Sequence, residues 1–276
     1  MCIYCRADPA DLTLYRQVAH AVPEAVMKNE ITLPQGFMCD QCNRYFGTKL
    51  EPQLIRHPSV AWAIQKARVP GKAGKVRSVV ANLVRDDEPD SGFRVDIAPV
   101  RVRRTQEGRI EVTVIPILDP KFDLLRFRRA LHLVAFNCLA RQTGAAEVLQ
   151  SRYNPVRAYV RRRPVSSEEV WPFAVLYDPA HGNEVDVELF AASDLGTIVR
   201  LGLYTHHFFV DLTNSGQLEA GTKAKGLAGA QFVSPTDDYP ESAKTRAISR
   251  DERGSMKFTE KRLDISSGLP PSSDSP

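Results

Sequence analysis

The stretch "CDQCNRYFG" (Cys39–Gly47), taken together with "CIYC" (Cys2–Cys5), decides the reading of this chain. Each CxxC presents two sulfurs from one tight turn, and two such turns complete a closed tetrahedral site of four cysteines. Cys2, Cys5, Cys39 and Cys42 are therefore expected to hold a structural Zn2+. A metal staple of this kind lets a segment too small for its own hydrophobic core fold around the ion. His20, in "AHAVPE", stands between the knuckles, and Asn43 directly follows the last cysteine. A purely structural zinc ribbon requires neither.

The chain has 276 residues, enough for one large or two ordinary domains, and its 43% hydrophobic content is normal for a globular protein. A formal net charge of +4 permits an anionic partner without demanding one. No charged stretch followed by an apolar run marks a signal peptide at the N-terminus. No window approaches the roughly 18 consecutive apolar residues that a bilayer span needs, so no membrane partner is expected. Four of the five cysteines fall in CxxC pairs, which fits zinc thiolates in a reducing compartment better than a disulfide framework. A cytoplasmic location follows as the expectation.

In chain order, "NEITLPQGF" reads as a short strand (Ile31, Leu33) and a Pro34–Gly36 turn that delivers the second knuckle. From Asn43, a suitable N-cap, Tyr45, Phe46, Leu50 and Leu54 supply the apolar stripe of a helix, which Pro52 and Pro58 break into short pieces. The order is short strands, then helix, with zinc holding the ends together. His57, before Pro58, reads as a packing residue.

The combined pattern over about residues 1–60 is a CxxC, then H-x-x-P-E from His20 to Glu24, then "LPQG", then "CDQCNRYFG". It resembles the zinc-bound subgroup of the HNH endonucleases with two CxxC knuckles, and its layout is similar to endonuclease VII. The resemblance implies a ββα-metal module that hydrolyses nucleic-acid phosphodiesters, with DNA as the expected substrate and RNA as the alternative. It assigns His20 as the general base that takes a proton from the attacking water, a role that suits imidazole near neutral pH. It assigns Asn43 as the helix-borne oxygen ligand of a catalytic Mg2+ or Mn2+. The family carries Asp or Glu directly before the histidine, where this chain has Ala19. Glu24, or Asp40 beside the second knuckle, is then the nearest carboxylate able to complete the site. Without a second oxygen ligand the module becomes a zinc-module protein that binds nucleic acid or a protein partner without cleaving. A homodimer is the simplest arrangement for cutting both strands of a duplex, and a defence role against foreign DNA fits the kind of family.

Residues 61–75 end in "VPGKAGK", a Pro/Gly/Lys linker. Beyond it the β-branched runs 76–84, 93–102 and 109–117 read as an antiparallel meander. Asp119-Pro120 is expected to open a helix with Leu124, Phe127, Leu131, Val134 and Cys138 as its buried stripe and Gly144 as its stop. Cys138 and His132 read as packing residues. A Pro-interrupted helical piece follows, then strands "FAVLY", "EVDVELF", "IVRLGLY" and "HFFVDL". Adjacent His206 and His207 face opposite sides of their strand and do not chelate together. The whole reads as an α+β protein: an HNH module over 1–60, a linker over 61–75, an antiparallel-sheet-plus-helices domain over 76–213, and a largely disordered polar tail over 214–276. Three arginine groups stand in the second domain: Arg101, Arg103 and Arg104; Arg126, Arg128 and Arg129; and Arg161, Arg162 and Arg163. Those of "VRAYVRRRP" are the best candidates for phosphate-backbone contact, with Tyr159 as a stacking group.

Overall fold

A computed structural model describes residues 1–8, 10, 14–27, 31–57, 60–61, 63–64, 67, 69–70, 121–162, 170–181, 184–192, 196–220 and 230–233. It also describes the backbone of strands at 83–85, 93–95, 100–104, 110–114 and 246–249. The N-terminal segment is a small hairpin followed by a helix. Ala21 N–H donates to Ile31 O (2.8 Å) and Leu33 N–H to Ala19 O (2.8 Å), which brackets an antiparallel bridge between His20 and Thr32. Then come α1 (Asp40–Lys49) and the short α2 (Glu51–Leu54), which carries a proline in its first turn. The N-cap of α1 is Cys39, in extended conformation at φ −76 and ψ 156, and not Asn43. The knuckle fixes that extended residue, so the helix starts one turn earlier than the sequence suggests.

Four short strands follow, β1 (Leu83–Arg85), β2 (Phe93–Val95), β3 (Val100–Arg104) and β4 (Ile110–Val114). β1 pairs with β2, and β3 with β4, antiparallel, but in two separate sheets: the expected single strand over 93–102 is divided into β2 and β3, so the three runs do not form one meander. The long helix α3 (Leu124–Thr143) has Asp123 as N-cap, whose carboxylate accepts the Arg126 N–H at 3.0 Å. Gly144 closes it at φ 87 and ψ 168; Asp119 and Pro120 lie outside the described residues. The Pro-interrupted stretch becomes α4 (Ala145–Val148), a 3-10 turn at Ser151–Tyr153, and α5 (Asn154–Arg161).

The main sheet contains β5 (Phe173–Tyr177), β6 (Val185–Ala192), β7 (Gly196–Leu203), β8 (His206–Asp211) and β9 (Gln231–Val233). Its order is β6-β7-β8-β5-β9, antiparallel throughout. β10 (Arg246–Ser249) pairs with β4. Two strands thus come from the 214–276 stretch expected to lack structure, because a three- or four-residue segment can borrow a partner's ladder without supplying an apolar run of its own.

Helix α3 does not bury a stripe; it buries its whole circumference from Phe127 through Ala140. A helix buried on every side needs cover on every side. The sheet strands β6, β7 and β8 pack on it, and so do α2 and α5. The N-terminal segment supplies much of the remaining cover. Tyr4 packs edge-on to Phe136 at 5.5 Å, and His57 stacks on Phe127 at 4.6 Å with rings 16° apart. Polar ties cross the same boundary: Asp123 N–H donates to Gln53 Oε1 (2.9 Å), Arg141 Nε to Thr32 O (3.1 Å) and Tyr204 Oη to Val26 O (2.6 Å). Residues of the first sixty and of the sheet domain therefore share one continuous core. Most of the 61–75 stretch lies outside the described residues.

Candidate metal centre

The two CxxC knuckles meet. One ligand atom from each of Cys2, Cys5, Cys39 and Cys42 lies within 4.8 Å of the others, and Cys5 Sγ is 3.5 Å from Cys39 Sγ. Bonds of about 2.3 Å in a tetrahedron would set the sulfurs about 3.8 Å apart, so the tetrad fits a zinc ion. Local backbone explains the gathering. Arg6 adopts the left-handed conformation (φ 60), letting its N–H return to Cys2 O at 2.9 Å and wrap the first knuckle. In the second, Cys39 caps α1 and Cys42 lies in its first turn, so both sulfurs project from one helix end. Cys39 N–H reaches Cys2 Sγ at 3.5 Å, the kind of outer contact that orients a thiolate ligand.

The electrostatics point the same way. Cys42 donates a hydrogen bond to Cys2, drawing the Cys2 thiol down to about 4 and pushing Cys42 upward. Burial pushes Cys39 up to about 11. Without a cation one sulfur draws the charge and its neighbours resist it; a central dication would let the four clustered thiols ionise together. Cys138, the fifth cysteine, is buried in α3 and held near 12 by desolvation, as a packing residue should be.

His20 sits half-buried on the first hairpin arm, and its imidazole has no hydrogen-bond partner among the described residues. Asn137 of α3 donates to the His20 carbonyl at 3.5 Å and accepts from Tyr4 Oη at 2.5 Å, tying that arm to the first knuckle. Asn43 lies on α1, its N–H bonded to Cys39 O (2.9 Å) and its amide nitrogen to Gln17 Oε1 (3.4 Å). The amide oxygen of Asn43 has no partner among the described residues. Glu24 is exposed in the turn at the end of the first arm, and Asp40 accepts the Gln17 N–H at 2.9 Å. Among the described residues, His20, Glu24 and Asp40 do not gather into a three-ligand group.

The arginine groups divide. Arg128 and Arg129 are buried, so neither belongs to a phosphate-binding surface. Arg128 donates to Trp171 O and Val233 O; Arg129 donates to Tyr159 O, Val160 O and Tyr45 Oη. Tyr159 is likewise internal, stacked on Trp171 at 4.9 Å, and cannot take a base. Arg161 and Arg162 are exposed at the end of α5, while Arg163 lies outside the described residues. Arg101, Arg103 and Arg104 fall on β3.

No protein-family model, curated protein or solved structure matches this chain. No helix among the described residues is long and apolar enough to cross a membrane.

One gathering escapes sequence reasoning altogether. His181, Asp186 and His207 bring ligand atoms within 4.8 Å of one another in the sheet domain. His206 and His207 do face opposite sides: His206 packs with Tyr177 and Phe208, while His207 meets His181 at a ring separation of 4.4 Å. The pair is no chelate, but one member has partners from other strands. Strand register, not local spacing, creates that group.

Proposed function

We propose that the N-terminal module is a zinc-stapled HNH-type nuclease hydrolysing nucleic-acid phosphodiesters, with DNA as the first substrate to test. What supports this is the order hairpin, knuckle, helix, with His20 on the hairpin and Asn43 on the helix. Both keep a polar atom without a hydrogen-bond partner among the described residues. The zinc tetrad would hold those two elements in register and take no part in the chemistry. His20, half-buried and without a ring partner among the described residues, is suited to accept a proton from an attacking water. Asn137 and Thr32 would hold the backbone of residue 20, from which the ring projects, in place. Asn43 would present its amide oxygen to a divalent Mg2+ or Mn2+ ion, which when bound stabilises charge on the phosphate and leaving oxygen. The exposed Arg161 and Arg162 would add backbone contact elsewhere on the surface.

A second reading has its own observation. Among the described residues, His20, Glu24 and Asp40 belong to no group of three or more metal ligands, and Ala19 offers no ligand. A hard dication prefers carboxylate oxygens, so a module of this shape could bind nucleic acid without cutting it.

Plasmid nicking with Mg2+ or Mn2+, wild type beside His20→Ala and Asn43→Ala with zinc retained, separates the two. The nuclease reading expects metal-dependent nicking that falls by about 10²-fold or more in His20→Ala, the range for loss of a general base. Absence of cleavage on duplex, single-stranded and branched DNA and on RNA, with binding retained, would sink it in favour of the binding module.

A further inference from the structure

We propose that His181, Asp186 and His207 form a second metal site, taking a divalent first-row transition ion of the zinc class through two imidazoles and one carboxylate. This site is independent of the nuclease reading.

The sheet register builds it. Asp186 on β6 pairs with Gly202 on β7, and Gly202 pairs with His207 on β8, so the three share one row across the sheet. Residues in one cross-strand row point to the same face. Asp186 and His207 are two strands apart and can meet only above the middle residue. That residue is glycine. A Cβ at 202 would overlap Asp186 Oδ1 and press on His181 Cε1 at 2.9 Å. His181 arrives from the 3-10 turn Pro179–His181, just after β5, and completes the group from the side.

The hydrogen bonds give each ring an outer and an inner nitrogen. His181 Nδ1 contacts Tyr204 O, and His181 Nε2 lies 2.8 Å from Asp186 Oδ1. His207 Nε2 lies 3.3 Å from Asp178 Oδ2, and Asp178 is itself anchored by the Ala180 N–H at 2.9 Å. So one ring leans on a backbone carbonyl and the other on a carboxylate. These are the two outer partners that metal-ligating histidines use to fix tautomer and ring direction. The inner nitrogen of His181, Nε2, faces Asp186, and that of His207, Nδ1, faces Arg200. Donors on one tetrahedral ion, at bonds of about 2.0–2.2 Å, stand about 3.3–3.6 Å apart, so the 2.8 Å hydrogen bond between His181 and Asp186 would open slightly to admit the ion.

Arg200 occupies the remaining side. It pairs with Asp186 Oδ2, its Nε is 2.9 Å from Glu188 Oε2, and its NH1 is 3.2 Å from His207 Nδ1. An ion would displace only the last of these contacts, leaving Arg200 to orient Asp186 through the other oxygen. The His207 and His181 side chains are 5% and 10% exposed and Asp186 is 25% exposed. The group is enclosed but reachable, and three protein donors leave a coordination position open to water or substrate.

Metal counting on the full chain tests this. The zinc-loaded wild type is expected to carry two equivalents, and the variants His207→Gln and Asp186→Asn one, with the cysteine equivalent retained as proof that the chain is folded. Cobalt substitution distinguishes the sites: the first equivalent shows thiolate-to-cobalt charge transfer, and the second shows ligand-field bands without it. A wild type that holds a single equivalent at saturating zinc overturns the proposal. So does a second equivalent that survives in both variants, since it then sits elsewhere.

Discussion

At the scale of single residues, burial sets the chemistry more than composition does. His132 is fully enclosed, its ring edge-on to Tyr159 and Trp171 and its Nδ1 bonded to Arg128 O at 2.8 Å. Desolvation holds it down at about 4, against 6.5 for an open histidine. As pH falls the unfolded chain takes the proton first, so the stability from this residue is whole above 6.5 and is lost on the way down to about 4. At pH 5 the loss should be about 2 kcal/mol relative to neutral pH. Urea unfolding of wild type and His132→Leu at both pH values checks this. The variant should show a shallower pH dependence by that amount, and parallel curves would rule the effect out. Because the cysteine site titrates in both chains, its contribution cancels in the comparison.

At the scale of elements, the ends of α3 carry two different kinds of constraint. Its N-terminus uses a side chain, Asp123, which a change to Asn would preserve. Its C-terminus uses backbone freedom. Gly144, at φ 87 and ψ 168, is in a region essentially closed to residues with a Cβ, although nothing lies within 4 Å of where that atom would sit. Gly144→Ala should therefore cost about 1–3 kcal/mol by backbone strain alone. Chemical denaturation reads the cost, and an unchanged midpoint would show that the helix end simply relaxes. Arg129 shows a third device, joining α1, α3 and α5 by donating to Tyr45 Oη, Tyr159 O and Val160 O from a buried position. An arginine of this kind reads as surface charge in the sequence and acts as an internal staple in the fold.

At the scale of the whole molecule, the cysteine-knuckle module and the sheet domain stand or fall together. Ile3, Phe46, Leu50 and Leu54 are buried in the same core as Phe127, Phe136 and Phe208. Each such side chain contributes about 1.5–3 kcal/mol through burial, so withdrawing the module uncovers more of α3 than the sheet alone can stabilise. Removing zinc, by chelation or by Cys39→Ser, should lower the melting temperature of the chain in one transition. Hydrogen exchange should then show loss of protection through Phe127–Ala140. Melting confined to the first sixty residues, with α3 still protected, would contradict a shared core.

The cysteine tetrad was legible from spacing alone, because a CxxC turn fixes two sulfurs within a few residues and only the meeting of the two turns needed the fold. The strands β5 to β8 and the packing roles of Cys138, His57 and His132 were legible for a similar reason: period and burial are local properties. The start of α1, the burial of α3 on every side and the internal duty of Arg128, Arg129 and Tyr159 were not. Each depends on what covers the element, and a helix pattern records its own face but not its neighbours. The His181–Asp186–His207 group is the extreme case. Its members lie up to 26 positions apart (207 − 181), and only strand register, with a glycine beneath, brings them within reach. The sequence by itself determined the two cysteine knuckles and the strands β5 to β8; the tertiary structure decided the remaining strands and what the elements enclose, because long-range proximity is set by packing and not by order along the chain.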